Sequence, residues 1–271
     1  MLKRIFRSPV FQRFRPGRKL QPEKYVLSIA GFDPSGGAGV MADAKVFEQL
    51  GIGGLGVTTC ITYQNDEEFT GVKWLSKKEI LDQLIPLTKF RVEAVKIGLV
   101  ENLEVLQWLL PELKKHWKKA KIVWDPISKA SAGFTFHPAM DRKILQQILK
   151  KVECITPNLE EAELMGQGSA MENALTLSKS CFVLLKGGHA TQDANDVLLR
   201  KGKIVVQFPQ AKLEGVSKHG SGCVYASALA ATLAKGAKIE DACLDAKDYT
   251  LAFLRSTDTL LGKHKGVEVR G

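Results

Sequence analysis

The stretch YVLSIAGFDPSGGAG at positions 25–39 decides the fold. Its first half, Tyr25–Gly31, is an apolar run with the length of one buried strand. Its second half holds Gly31, Gly36, Gly37 and Gly39 around Asp33-Pro34-Ser35, and a helix-period pattern follows from about Ala38 to Leu50. Strand, glycine-rich loop and helix in that order open an α/β unit. Glycines there permit positive φ and close approach of backbone to a ligand, and the helix start offers free amides.

Outward from this unit the alternation continues. Gly56–Tyr63 reads as a second strand, and Ser76 with Glu79 has the spacing of a capping box opening a helix to about Thr88. Val92–Ile97, Ile122–Asp125, Glu153–Ile155 and Phe182–Lys186 are further strand candidates, with helical segments at about 102–118 and 138–151. Asp196–Leu199 and Lys203–Phe208 form a predicted hairpin through Arg200–Gly202, and helices over about 223–235 and 239–254 close the chain. Such spacing predicts an α/β fold with a mostly parallel central sheet and helices on both faces, whose ligand crevice lies beyond the strand carboxyl ends. The residues after successive strands fit that rule: Phe32-Asp33, Gln64-Asn65, Gly98-Leu99, Asp125-Pro126, Thr156-Pro157-Asn158 and Gly187-Gly188-His189 are mostly polar or glycine-rich.

Composition bounds the function. With 271 residues, 45% apolar and 25% charged, the chain has enough material for a full core and an enzyme-sized site. No run approaches the length needed to span a bilayer; the longest uncharged one, Gln49–Asn65, is rich in Gly and Thr. The formal charge of +10 points toward nucleic acid only until it is located: residues 1–24 carry eight basic side chains against Glu23 alone. Residues 1–24, broken by Pro9, Pro16 and Pro22, are expected to be a flexible basic extension, an acid-poor, Arg-rich organelle transit peptide being the other reading; 25–271 is expected to be a single domain, and no nucleic-acid or membrane partner is expected. The five cysteines are odd in number, widely spaced and without a Cys-x-x-Cys pair, which fits a reducing compartment and argues against disulfide or zinc frameworks. Four read as small buried hydrophobes, with Cys223 as the exception.

The motifs carry the chemistry. Gly37-Ala38-Gly39-Val40-Met41-Ala42 matches part of a dinucleotide fingerprint, but the second strand ends in Tyr63-Gln64-Asn65 where that fingerprint needs an acid, and no P-loop pattern is present. Lys218-His219-Gly220-Ser221-Gly222-Cys223 precedes a helix of small residues; its glycines would let consecutive amides point at one anion, and the helix dipole would lower the thiol pKa of Cys223. Asn158 and Glu161 have capping-box spacing, and Glu161 is also a candidate beside a hydrated Mg²⁺; Asp125 is either a turn former or a metal-side carboxylate. Lys186 reads as a plain turn residue or a phosphate partner. His116, His137 and His264 read as surface residues.

Together these segments resemble the hydroxymethylpyrimidine/phosphomethylpyrimidine kinases of the ribokinase-like superfamily, over about Tyr25–Gly262. The resemblance rests on SIAGFDPSGGAG at 28–39, TYQND at 62–66, KIGLV at 96–100, VWDP at 123–126, ITPNLEEA at 155–162, LLKGGH at 184–189 and HGSGC at 219–223. It implies a three-layer ribokinase-like sandwich and a cytoplasmic, ATP- and Mg²⁺-dependent kinase of thiamine biosynthesis. The implied substrates are 4-amino-5-hydroxymethyl-2-methylpyrimidine and its monophosphate. By position, Gly31, Ala38, Asp43, Gln64 and Leu99 would form the pyrimidine pocket. Gly220, Ser221 and Gly222 would form the anion hole, with Cys223 as the base. Asn158 and Lys186 would lie on the nucleotide side, with Asp125 and Glu161 near Mg²⁺. A homodimer is left open. Phe32, Thr62-Tyr63 and Leu99 depart from the family's usual residues at the expected pocket wall, and 164–181 is short for nucleotide-side loops. A pyridoxal/pyridoxine kinase on the same scaffold, or a non-catalytic vitamer-binding protein, are the alternative readings.

Overall fold

The structure, a computed structural model, describes residues 23–129, 133, 136, 140–187, 195–209 and 215–265. Within them one nine-stranded sheet runs β3-β2-β1-β4-β5-β6-β7-β8-β9. Its strands are β1 (Tyr25–Phe32), β2 (Gly53–Gln64), β3 (Phe69–Trp74), β4 (Val92–Ile97), β5 (Lys121–Trp124), β6 (Cys154–Ile155), β7 (Phe182–Leu185), β8 (Asp196–Arg200) and β9 (Lys203–Phe208). The pairs from β2 through β7 are parallel, while β3, β8 and β9 add antiparallel edges. The helices are α1 (Gly39–Gln49), α2 (Lys77–Leu84), α3 (Leu103–His116), α4 (Arg142–Leu149), α5 (Leu159–Leu164), α6 (Ala170–Leu177), α7 (Ser221–Lys235) and α8 (Ile239–Leu254).

Two cores lie on opposite faces of the sheet. One joins apolar residues of α2 through α6 to the inner strands, and the other joins α1, α7 and α8. This is the three-layer sandwich expected from the strand–helix alternation. The middle of the second core is α7, apolar on every side and buried from Cys223 to Ala234. A helix this rich in alanine can pack that deeply because its many small side chains let α1, α8, β4 and β5 approach closely. Chain order reverses at β1, with β2 on one side and β4 on the other, so the crevice of the parallel sheet opens beyond their carboxyl ends.

Several expectations needed correction. The helix after Ser76 keeps its capping box but tightens after Leu84 into a 3₁₀ turn over Ile85–Lys89, where Pro86 cannot donate into the α-helical ladder. Strand β3 has no counterpart in the sequence reading: it is a half-buried edge strand, interrupted by Gly71, and lacks a clean apolar alternation. The segment 164–181 is more than a trimmed loop. It contains α6, opened by a capping box of Ser169 and Glu172, and the Asn173 amide donates to the carbonyls of Ala162 and Gly168. His264 is not a free surface residue, since it lies against Phe253 and Tyr249, and burial pushes its imidazole down to about 4. All five cysteines are buried. Gly188, His189, His137 and residues 1–22 of the basic extension lie outside the described residues.

Candidate active site

The crevice at the strand ends is a cleft of about 850 Å³. Gly31, Gln64, Leu99, Asp125, Asn158 and Lys186 reach it from the ends of β1, β2, β4, β5, β6 and β7. Ala38 and Glu161 line it from the helix starts, as does the whole loop from Lys218 to Cys223. The structure thus brings together every expected site residue except Asp43.

The loop before α7 is shaped by glycine. Gly220 has φ +74°, and a Cβ there would run into the carbonyl of Gly37. Ser221 N–H donates to Lys218 O at 3.3 Å, and the first regular amide of the helix is that of Val224. The intervening amides of Gly222 and Cys223 have no acceptor among the described residues. A side chain on Gly222 would touch Lys186 Nζ at 3.4 Å. Two open amides, a 15-residue helix behind them and an ammonium beside them make an anion site. The Cys223 thiol, however, is pushed up to about 11 by burial, with Lys96 and the Gly39 amide opposing. The expected lowering is therefore corrected: desolvation outweighs the helix dipole, and the resting thiol is protonated.

Across the cleft floor, Lys186 Nζ donates to Asp125 Oδ1 at 2.9 Å, and Thr156 Oγ1 donates to the same oxygen at 2.8 Å. Burial alone would raise the Asp125 carboxyl, but Lys186 and Lys96 hold it below the usual carboxylate range. Glu161 behaves oppositely: burial, reinforced by Asp125, pushes it up to about 7 despite Lys186. Its capping box with Asn158 is complete, so the capping and site readings hold together. Among the described residues no three metal-ligating side chains gather. Two carboxylates at an anion site nevertheless fit Mg²⁺, which keeps waters and takes its remaining oxygens from phosphates. A divalent ion there would also offset the burial, and the lesser repulsion from Asp125, that raise Glu161.

A pH dependence follows from Glu161. Its carboxyl binds its proton more tightly folded than unfolded, so native stability should fall as pH rises from about 5 to 7 and flatten above that. Glu161→Gln is expected to remove this slope in urea titrations at each pH; an identical slope in the variant would mean Glu161 is ionised throughout.

On the other wall, a Cβ on Gly31 would press on Cys60 Sγ at 2.8 Å and meet Leu99 Cδ2 at 3.6 Å, so this side of the cleft is backbone and Leu99. Gln64 is half-buried, and its side-chain amide makes no hydrogen bond among the described residues. Of the four departures at the wall, Leu99 and Thr62 line the cleft while Phe32 and Tyr63 do not. Asp43 is corrected outright. It is fully buried behind the wall, accepts from Lys96 Nζ at 3.0 Å, and binds the hydroxyls of Ser28 (2.5 Å) and Ser227 (2.6 Å). Its place on the inward face of α1 commits it to the core.

Two further clusters at the cleft escaped the sequence reading. Asp33 pairs with His219 at 2.8 Å. Asp196 accepts from Lys247 at 2.9 Å, Tyr225 at 3.0 Å and the Gly187 amide at 2.9 Å, which ties Gly187 to the start of β8. Each pair joins residues far apart in sequence, so no local spacing announces it. A charged residue at the mouth of an apolar strand, as at Asp33 and Asp196, was the one available signal.

Comparison with known proteins gives the family. The sequence model of the phosphomethylpyrimidine kinase family matches residues 33–268. A hydroxymethylpyrimidine/phosphomethylpyrimidine kinase of Rhizobium meliloti (strain 1021) is 34% identical over 253 residues, 89% of this chain and 94% of that protein. The crystal structure of phosphomethylpyrimidine kinase from Clostridium difficile 630 superposes with TM-score 0.71 at 30% identity, covering 84% of this chain and 98% of that one. The pyridoxal kinase of Staphylococcus aureus in complex with AMP-PCP and pyridoxal superposes with TM-score 0.75 at 26% identity, over 87% of this chain and 89% of that one. A match from the glycine loop of β1 to beyond α8, at these coverages, establishes that the chain belongs to the phosphomethylpyrimidine kinase family, on a ribokinase-like fold.

Proposed function

We propose that this chain transfers the γ-phosphoryl group of ATP to the hydroxymethyl group of 4-amino-5-hydroxymethyl-2-methylpyrimidine, and then to the resulting monophosphate. The observation that carries the reading is the pair of open amides at Gly222 and Cys223, set against Lys186 in a cleft also lined by the free amide of Gln64. An amide offers a donor and an acceptor side by side, which matches the ring nitrogen and exocyclic amine of an aminopyrimidine. Gly31 and Leu99 leave a flat, apolar wall for the ring.

Phosphoryl transfer asks chiefly for alignment and for neutralisation of charge on the equatorial oxygens. The Gly222 and Cys223 amides and the Lys186 ammonium supply fixed positive ends where that charge develops, with no reorganisation at the moment of reaction. Asp125 and Glu161 would hold Mg²⁺, which when bound neutralises the polyphosphate. Asn158, at the head of α5, would lie on the nucleotide side. Cys223 lines the cleft at the anion loop, and only its thiolate could serve as base: the thiol, protonated at rest, would first give its proton to solvent, and the thiolate would then take the alcohol proton late, as the P–O bond to the alcohol oxygen forms and the bond to the ADP oxygen breaks.

Cys223→Ala is accordingly expected to lower kcat about ten- to a hundredfold, the weak end of base catalysis, with little change in the KM for ATP. An unchanged kcat would remove the thiol from the mechanism.

The decisive test is product analysis with hydroxymethylpyrimidine and ATP, scoring mono- and diphosphate separately, with a chelator arm for Mg²⁺ and a parallel arm with pyridoxal. Both phosphates are expected, and both should vanish with chelator. A strong pyridoxal preference would transfer the assignment to pyridoxal kinase. Tight binding of the alcohols without ADP formation would make the protein a vitamer binder.

A further inference from the structure

A buried ion-pair contact fastens the two glycine-rich loops of the cleft to each other. Asp33 leaves the end of β1, and His219 stands immediately before the anion loop, 186 positions later in the chain. His219 Nε2 lies 2.8 Å from Asp33 Oδ2, with side-chain exposures of 3% and 1%. The same carboxylate accepts from the Ala38 amide at 2.9 Å and from the amide and hydroxyl of Ser35 at 2.9 Å, so it organises the whole loop between β1 and α1. On the other side, the His219 N–H donates to Leu260 O at 2.9 Å. The neighbouring Lys218 Nζ donates to the carbonyls of Thr257 (2.7 Å) and Thr259 (2.6 Å). Shape reinforces the contact, because Gly37 packs its α-carbon against the His219 ring and Gly220 packs against Gly37 O.

His219 Nδ1 is buried and has no hydrogen-bond partner among the described residues. Because a carboxylate only accepts, Nε2 carries the proton in this pair. Among the described residues the ring's one polar contact is to Asp33, and that contact spans two loops which, on the kinase reading, hold different reactants. Gly31 and Ala38 belong to the alcohol's side of the cleft, and Gly222 and Cys223 to the phosphoryl side. Registration between them matters because displacing one reactant by about 1 Å can cost about a hundredfold in rate.

We propose that His219 is a positioning residue: through Asp33 it locks the alcohol-side loop to the anion loop, so that the hydroxyl stays in line with the phosphoryl group. This rests on the kinase reading above. The clasp acts on alignment and leaves nucleotide binding to Lys186 and the helix start.

The test uses the full chain with hydroxymethylpyrimidine and ATP, following kcat, both KM values, ADP formed per alcohol phosphorylated, and the thermal midpoint. His219→Gln places an amide N–H near the position of Nε2, whereas His219→Asn is too short to reach Asp33. The Asn variant is expected to lose about ten- to a hundredfold in kcat, with its KM for ATP within about threefold of wild type and more than one ADP released per product. The Gln variant should recover most of that loss. Asp33→Asn preserves shape while removing the charge, and should show the same pattern more weakly, so the idea stays testable if His219→Asn folds poorly. Wild-type turnover in both His219→Asn and Asp33→Asn would overturn the clasp. So would equal losses in the Gln and Asn variants, or rate losses matched by losses in ATP binding and thermal midpoint, which would mark simple packing. A wild-type chain that phosphorylates no pyrimidine alcohol would instead overturn the kinase reading, and the clasp's role with it.

Discussion

Gly220→Ala is expected to reduce kcat for phosphoryl transfer by about two to three orders of magnitude, the usual cost of losing one fixed donor from an oxyanion site. The reason is backbone geometry. Gly220 holds φ at +74°, where a residue with a Cβ costs on the order of 1 kcal/mol, and that Cβ would overlap Gly37 O and come within 3.0 Å of Ala38 Cα. Neither neighbour is a flexible side-chain end that can swing aside. Relief requires the turn to rotate or the β1–α1 loop to withdraw, and either movement re-aims the amides of Gly222 and Cys223. Binding of ADP should weaken much less than kcat falls, since Lys186, Asn158 and the rest of the cleft are untouched. Steady-state kinetics beside calorimetric titration with ADP would separate the two. A variant within threefold of wild type in kcat would show that those amides do not hold the transferring group. Gly236 offers a control at φ +104°, for its Cβ would meet nothing within 4 Å, and alanine there should disturb stability alone.

Much of this arrangement was legible in the sequence because it is local. A strand end followed by Gly-rich sequence, a capping residue before a helix and an apolar run between turn residues each show themselves within a dozen positions. So β1, β4 and α8 were placed closely, and so were the loops that converge on the cleft. What the sequence hid is what only the sheet assembles. Asp43 sits one helical turn past the glycine loop, and linear order puts it beside the ligand, but the inward face of α1 turns it into the core. Cys223 stands at a helix N-terminus, a setting that ordinarily activates a thiol. The depth of α7 in the second core, which no local pattern encodes, reverses that effect. Asp33 and His219 were both quoted in the motifs, yet their pairing depends on β1 lying next to the start of α7. Lys96, in the middle of an apolar strand run, was the plainest clue left unread: a lysine among Val95 and Ile97 implies a buried acid elsewhere in the chain.

That buried acid is Asp43, and the pair supports the strongest expected effect on stability. Lys96 is fully buried, and burial alone would lower its ammonium; Asp43, with Asp125 nearby, instead holds it above the ordinary lysine range. Its charge is therefore retained at neutral pH and must be answered by Asp43. Lys96→Met leaves the carboxylate buried with only the Ser28 and Ser227 hydroxyls, and should cost about 3–5 kcal/mol in urea unfolding. Asp43→Asn should cost a comparable amount by stranding the ammonium. The double variant Asp43→Asn with Lys96→Met is expected to recover at least about half of either loss, because no uncompensated charge remains and the asparagine can still accept from a serine. The sign of the lysine shift also fixes the pH behaviour. A raised pKa gives stability that is complete below the unfolded lysine value and declines only above it. The loss in Lys96→Met should therefore be constant between about pH 6 and 9. Additive single losses would mean that β4, α1 and α7 are held by packing alone. Recovery in the double variant would instead identify Lys96 and Asp43 as the ionic pin that fixes α1 and α7 against β4, and with them the two glycine-rich loops from which those helices start.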